Sequence, residues 1–154
     1  MNNHFDTVEY IKLLEKEKIL ATKGSSLYSE NEEENSKLRS YRITLEDQIY
    51  SNNRYEYQFL IKGYILEKMS TLTFISVFLK LFRIDRDRLE PIEKDLKRLS
   101  TFSIDSKYKN FATFISEIFE DCDYSFDENC KVTEEESKDS IKKKVFSDAK
   151  IFLN

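Results

Sequence analysis

Glycine and proline are almost absent from the chain, and this shortage constrains the fold more than any other feature of the sequence. The 154 residues include two glycines, Gly24 and Gly63, and one proline, Pro91. Tight turns between strands depend on these residue types, so the chain cannot supply the turns of an all-β fold. The two glycines also lie too far apart to form a Rossmann or P-loop phosphate-binding motif. The sequence therefore predicts a mainly α-helical protein without either nucleotide-binding loop.

Length, charge and aromatic content favour one folded module that binds other proteins. A chain of this length forms about one domain with a real core. Its net charge of −4 argues against a nonspecific binder of nucleic acid. The 9 Tyr and 12 Phe residues supply the apolar surface of a folded chain. They exceed what one small bundle buries comfortably, and aromatic residues at a surface are typical of protein interfaces.

Apolar residues recur at helical spacing along most of the chain. Asp6 is predicted to cap a first helix that ends near Thr22, and Ser29 a second helix that ends at Asn52 and Asn53. Further helices are predicted over residues 54–69, 71–84 and 90–99, with Pro91 in the first turn of the last one. The next helix is expected after a cap at Asp105 or Ser106, and its inward residues would be Tyr108, Phe111, Ile115, Ile118 and Phe119.

The pattern of apolar residues predicts three parts. Residues 1–120 form the helical domain, residues 121–131 an acidic linker without an apolar stripe, and residues 132–154 a small C-terminal segment. Periodicity leaves open whether that segment is a helix or a reduced β domain, although the spacing of Thr133 and Glu136 favours a helix locally. The apolar run at residues 72–82 is interrupted by Lys80 and is shorter than the roughly 18 to 20 residues of a membrane span.

Residue types that carry catalysis or bind metals are scarce. His4 is the one histidine, so triads that need histidine and multi-histidine metal sites lack their main ingredient. Cys122 and Cys130, in a chain that begins without a signal peptide, predict free thiols in a reducing intracellular compartment. We therefore expect no catalytic site, no metal and no cofactor.

Paired carboxylates offer an alternative function. Glu117 and Glu120, then Glu136 and Asp139, would place carboxylates on successive helical turns, as in magnesium-dependent all-α nucleotide pyrophosphohydrolases. With 29 acidic residues in the chain, such spacings also arise by chance. A second alternative is a small acidic inhibitor or adaptor that binds another protein.

The segment at residues 54–72, RYEYQFLIKGYILEKMSTL, carries a pattern of paired aromatic, aliphatic and basic residues. In order, the pattern consists of Phe59 and Leu60, then Gly63, Tyr64 and Ile65, then Lys68 and Met69, with Leu72 at the next aliphatic position. It resembles the central helix of the GINS complex subunits, above all the Sld-five subunit. Leu99 and Ser100, and the aromatic segment at residues 111–119, are similar to later parts of the same family.

This resemblance implies a noncatalytic scaffold subunit of the GINS heterotetramer in a shortened form. Such a subunit joins the replicative DNA helicase assembly in the nucleus of eukaryotic cells. Its expected partners are the other GINS subunits, the helicase ring and the accessory factor of that ring, with DNA contacted only indirectly and no membrane involved. The expected interface and core residues are Phe59, Leu60, Tyr64, Ile65, Lys68, Met69 and Leu72.

Overall fold

The structure is a computed structural model that describes residues 5–96, 108–126 and 133–148. In these ranges the chain forms the helices α1 (Thr7–Thr22), α2 (Leu27–Glu30), α3 (Glu32–Asn52), α4 (Arg54–Ile65), α5 (Thr71–Arg86), α6 (Leu89–Leu96), α7 (Phe111–Phe126) and α8 (Glu134–Ser147). The described ranges contain no strand, so the predicted mainly helical fold is confirmed. The sequence does not decide whether the C-terminal segment is a helix or a reduced β domain, and in the structure its residues 134–147 are helical.

The first helices begin at polar caps, one of which differs from the prediction. Asp6 caps α1 as predicted, because its carboxylate accepts hydrogen bonds from the backbone N–H groups of Val8 and Glu9, both at 2.9 Å. Ser29 was predicted as the next cap, and this is wrong. Ser26 caps the short α2, and the Asn31 side chain caps α3 by accepting from the Glu34 N–H.

The central helix ends earlier than predicted. α4 stops at Ile65, so Lys68, Met69 and Leu72 are not part of it. Glu67 has a positive φ of 57°, and the N–H of Lys68 donates to the Gly63 carbonyl at 2.9 Å, which closes the end of the helix. The Ser70 hydroxyl then caps α5, so residues 66–70 form a turn between two helices.

α5 and α6 begin at or next to the predicted residues. α5 covers the predicted residues 71–84 and continues to Arg86, and α6 holds Pro91 in its first turn. Leu99 and the predicted caps Asp105 and Ser106 lie outside the described residues.

α7 runs through the first part of the predicted acidic linker. Residues 121–126 are helical, so the prediction of aperiodic chain there is wrong. Two contacts with α8 explain the difference, since the Asp121 carboxylate accepts from Ser140 Oγ at 2.9 Å and pairs with Lys144 Nζ at 3.3 Å. Cys122 on the same turn is buried. The division of the chain into domains stays a prediction.

Two hydrophobic cores hold the helices together, and α3 contributes to both. The main core combines residues of α3, α4, α5, α7 and α8, among them Tyr50, Tyr57, Tyr64, Phe74, Phe78, Phe111, Ile115 and Ile141. The N-terminal core lies among α1, α2, α3 and α6 and consists of Phe5, Tyr10, Leu13, Leu14, Leu27, Leu38, Leu45 and Leu96. In the part of the chain that the structure describes, no helix is long and apolar enough to cross a membrane.

Candidate protein-binding groove

An apolar groove opens between α4 and α5. Its lining consists of Tyr55, Glu56, Phe59 and Leu60 from α4 and Val77 and Leu81 from α5, and its volume is about 420 Å³. We call this surface the α4–α5 groove. Glu56 is the one charged residue in the lining, so the surface suits an apolar partner rather than a polar small molecule.

Aromatic contacts fix the two helices that form the groove. Tyr64 of α4 stacks on Phe74 of α5 with ring centroids 4.3 Å apart, and Tyr57 meets Phe78 edge to face at 5.5 Å. Residue numbers rise along α4 as those of their partners fall along α5, so the helices are antiparallel. Because these inward rings hold the helices against the main core, the opposite faces of both helices remain open.

The open faces carry large apolar side chains in water. Phe59 is 73% exposed and Tyr55 is 66% exposed, while Val77 is half-exposed across the groove. The Arg54 guanidinium lies over the Tyr55 ring, 4.2 Å from its centroid, and covers part of that surface. A contiguous exposed apolar surface of this kind is typical of a site for another protein.

The structure separates the predicted site residues into three groups. Phe59 lines the groove, and Leu60 lies between the groove and the main core. Tyr64 is buried in the main core, and the partly buried Ile65 packs against it. These two therefore support the fold from inside.

The remaining predicted site residues lie beyond the end of α4. Lys68 is exposed in the turn, and Leu72 is 71% exposed at the start of α5. Met69 folds back over α4, since a Cβ atom placed on Gly63 would lie 2.6 Å from Met69 Cε. The lack of a side chain at Gly63 is thus what admits Met69, although that flexible methionine could also move away.

A buried carboxylate links α5 to the start of α4 at one end of the groove, and the sequence did not lead us to predict it. Asp85 of α5 accepts hydrogen bonds from Tyr57 Oη at 2.9 Å and from Asn53 Nδ2 at 2.5 Å. Arg88 adds a salt bridge at 3.3 Å. Burial raises the pKa of Asp85, and the hydrogen bond from Tyr57 opposes that shift. The available signal was the position of Asp85, seven residues after Phe78 and three after Phe82, on the buried face of α5.

A second surface depression, between α2 and α3, is polar. It has a volume of about 440 Å³ and is lined by Tyr28, Glu32, Asn35, Ser36, Arg39, Ser40, Ile43, Thr44, Asp47 and Lys109. Its buried carboxylate, Asp47, already accepts from the N–H groups of Asn110 at 3.0 Å and Ala112 at 2.7 Å. Asp47 therefore holds the start of α7 in place.

Of the four carboxylates of the enzymatic alternative, one caps a helix, two are exposed to solvent and one is partly buried. Glu136 accepts from Thr133 N at 2.8 Å and Thr133 Oγ1 at 2.9 Å, which completes the predicted capping box of α8. Glu120 and Asp139 are exposed, and Glu117 is partly buried. Within residues 5–96, 108–126 and 133–148, no group of three or more His, Cys, Asp or Glu side chains could hold a metal ion.

Cys122, the cysteine that lies among the described residues, is not a reactive thiol. Burial raises the pKa of Cys122 to about 12, and the neighbouring Asp121 charge acts in the same direction. This thiol therefore stays protonated at neutral pH and is a poor nucleophile. His4 and Cys130 lie outside the described residues.

Comparisons of the chain with protein-family models, with curated proteins and with solved structures find no match.

Proposed function

We propose that this protein is a noncatalytic scaffold subunit that binds other proteins through the α4–α5 groove. The observation that carries the proposal is the solvent exposure of Tyr55, Phe59 and Val77 around one apolar groove. Side chains of this size lose contact with water when a partner covers them, and aromatic residues dominate the energetics of many interfaces.

The GINS complex is the assembly that we propose for this subunit. The support is the sequence pattern at residues 54–72, which resembles the central helix of GINS subunits and includes Phe59 and Leu60 of the groove. On this proposal the partners are the other GINS subunits, with the replicative helicase ring and its accessory factor in the larger assembly, and the protein works in the nucleus. DNA would be contacted through those partners.

A matched pair of phenylalanines offers a direct test. Phe59 in the groove is 73% exposed, and Phe146 on α8 is 74% exposed but lies outside the groove. We expect Phe59→Ala to lower the recovery of co-purifying proteins from source cells about tenfold, as measured by quantitative mass spectrometry. Phe146→Ala should recover them as the parent does.

Two results would contradict the proposal. The first is equal recovery of partners by the parent and by Phe59→Ala. The second is magnesium-dependent hydrolysis of nucleoside triphosphates that is lost in Glu117→Gln or Glu136→Gln, which would favour the enzymatic alternative. If the co-purifying proteins change with Phe59 but include no replication proteins, the scaffold proposal holds and the GINS assignment fails.

A further inference from the structure

The one charged side chain in the lining of the α4–α5 groove is acidic. Glu56 is exposed near the start of α4, one residue after Tyr55 and one helical turn before Leu60. Among the residues that the structure describes, its carboxylate has no hydrogen bond and no ion pair. A carboxylate at the edge of an apolar surface favours a cation in the ligand and repels an anion.

The basic residues around the groove do not offer an anion an equivalent position. The Arg54 guanidinium donates to the Ser51 carbonyl at 3.1 Å and to Tyr55 Oη at 2.9 Å. Lys62 already interacts with another residue. Lys80 is exposed on α5 and lies outside the lining. The charge that a ligand meets inside the groove is therefore negative.

A second carboxylate at this end of the groove strengthens the preference for a cation. Burial raises the pKa of Asp85, and the negative charge of Glu56 adds to that shift. The two carboxylates are therefore close enough to repel each other. A cation bound at Glu56 would offset that repulsion, so a basic ligand is favoured by both acidic groups.

The size of the groove limits the ligand to a short segment. Its lining on α4 runs from Tyr55 to Leu60, a rise of about 8 Å along the helix. Its volume of about 420 Å³ lies toward the small end of the range of ligand pockets, about 300 to 1,000 Å³. Side chains one helical turn apart are separated by about 5 to 6 Å, so two large apolar side chains would fill this length.

We propose that the α4–α5 groove binds a short segment of a partner protein in which two large apolar side chains lie beside a lysine or arginine. This inference rests on the proposed function and specifies the chemistry of the partner. The apolar pair would lie between Phe59 and Val77, and the basic side chain would donate hydrogen bonds to the Glu56 carboxylate.

A phage library of short random peptides tests the inference, with the full chain as the immobilised target. On the parent we expect enrichment of peptides that carry lysine or arginine within a few residues of two large apolar side chains. Glu56→Gln should keep the apolar pair and lose the enrichment in basic residues, and Phe59→Ala should lose the apolar pair. The control Lys80→Gln removes an exposed charge outside the lining and should select the same peptides as the parent.

Two matched synthetic peptides measure the size of the effect. One has an enriched sequence, and in the other glutamine replaces the basic residue. We expect the basic peptide to bind the parent about fivefold more tightly in fluorescence anisotropy, since an exposed ion pair makes a modest contribution. Glu56→Gln should bind both peptides equally. Enrichment without basic residues, equal binding of both peptides to the parent, or a preference that Glu56→Gln retains overturns the inference.

The remaining outcomes separate this inference from the proposed function. If no selected peptide depends on Phe59 but Phe59→Ala still loses its partners in cells, the short basic segment is wrong and the scaffold function stands. If the basic peptides are selected as expected but Phe59→Ala retains all partners in cells, the scaffold function fails. A concentration-dependent dimer in sedimentation that Phe59→Ala abolishes would show that a second copy covers the groove, which also overturns the inference.

Discussion

The main core and the N-terminal core hold their helices together by different means. Among the described residues, the main core has 19 buried members and the N-terminal core has 8, so apolar burial is concentrated in the former. Eight of those 19 members are aromatic, and Phe82, for example, stacks on the partly buried Phe119 with ring centroids 4.2 Å apart.

The N-terminal core is closed by hydrogen bonds and ion pairs between helices. Tyr10 of α1 donates to Glu93 of α6 at 2.5 Å. Tyr41 of α3 donates to Glu9 of α1 at 2.5 Å, and the pKa of Tyr41 is raised to about 12 by burial and by this bond. Three ion pairs also join α3 to α1: Arg42 with Glu17, Lys16 with Glu34, and Lys37 with Glu9. Since exposed ion pairs contribute little, we infer that the main core supplies most of the stability.

Removal of a ring from the main core should have the largest effect. Phe78 is fully buried and contacts both Tyr57 and Phe74. We expect Phe78→Ala to lower the free energy of unfolding by about 3 to 5 kcal/mol, because it removes apolar contacts and leaves a cavity. Urea denaturation measures this loss. The exposed Phe59→Ala should lose less than about 0.5 kcal/mol, and similar losses in both variants would show that the main core is misassigned.

A leucine removed from the N-terminal core should cost less and act more locally. Leu38 is almost fully buried between α3 and its neighbours. We expect Leu38→Ala to cost about 2 to 3 kcal/mol, since a small core can relax around the cavity. Hydrogen exchange should accelerate in α1 and α2 more than in α5 and α7. Uniform acceleration along the chain would mean that the two cores unfold as one unit.

The buried carboxylate of Asp85 makes the main core sensitive to pH. Its pKa is raised on folding from the ordinary value of 3.8, so the folded state takes up its proton at a higher pH than the unfolded state. This contribution to stability is fully present below pH 3.8 and is lost as pH rises through the folded pKa.

Substitution of Asp85 should isolate that contribution. We expect Asp85→Asn to remove this component of the pH dependence and to cost about 1 to 3 kcal/mol at neutral pH, because Arg88 and Tyr57 lose a charged acceptor. Urea midpoints measured from acidic to neutral pH give both quantities. The exposed Asp87→Asn should leave the slope unchanged, and an unchanged slope in Asp85→Asn would refute the assignment.

The smallest expected effect is the salt dependence of an ion pair beside the N-terminal core. Arg42 and Glu17 pair at 2.7 Å with both side chains about one-third exposed. We expect Arg42→Met to cost less than about 1 kcal/mol and to lose most of that cost in 1 M salt, where charges are screened. Thermal melts at low and high salt measure the difference. A cost that salt leaves intact would indicate that Arg42 acts through packing rather than charge.

The starts of α1 and α8 were predictable because their signals are local. Asp6 accepts from N–H groups two and three residues ahead, and Thr133 and Glu136 bond each other within one turn. Helix ends were less predictable. α4 ends where Glu67 adopts a positive φ, a conformation usually marked by glycine or asparagine, so its sequence carried no signal.

The candidate site was predictable only in part, because exposure depends on tertiary packing. Phe59 and Tyr64 belong to one sequence pattern, yet Phe59 faces solvent and Tyr64 faces Phe74. The other wall of the groove, Val77 and Leu81, comes from a run that reads as apolar on nearly all sides. Which of those faces lacks a covering helix cannot be read from periodicity.

The hydrogen bonds from Asn110 and Ala112 to Asp47 have a consequence for the order of folding. The acceptor lies on α3, and the contact with Ala112 spans 65 residues of sequence. Most helices here begin at a cap within a few residues, so their first turns can form as soon as the local chain is present. α7 instead obtains this support from a distant helix, and closing so long a loop carries an entropy cost. We therefore expect α3 to form early and the start of α7 to become ordered only after it docks on α3, late along the folding pathway.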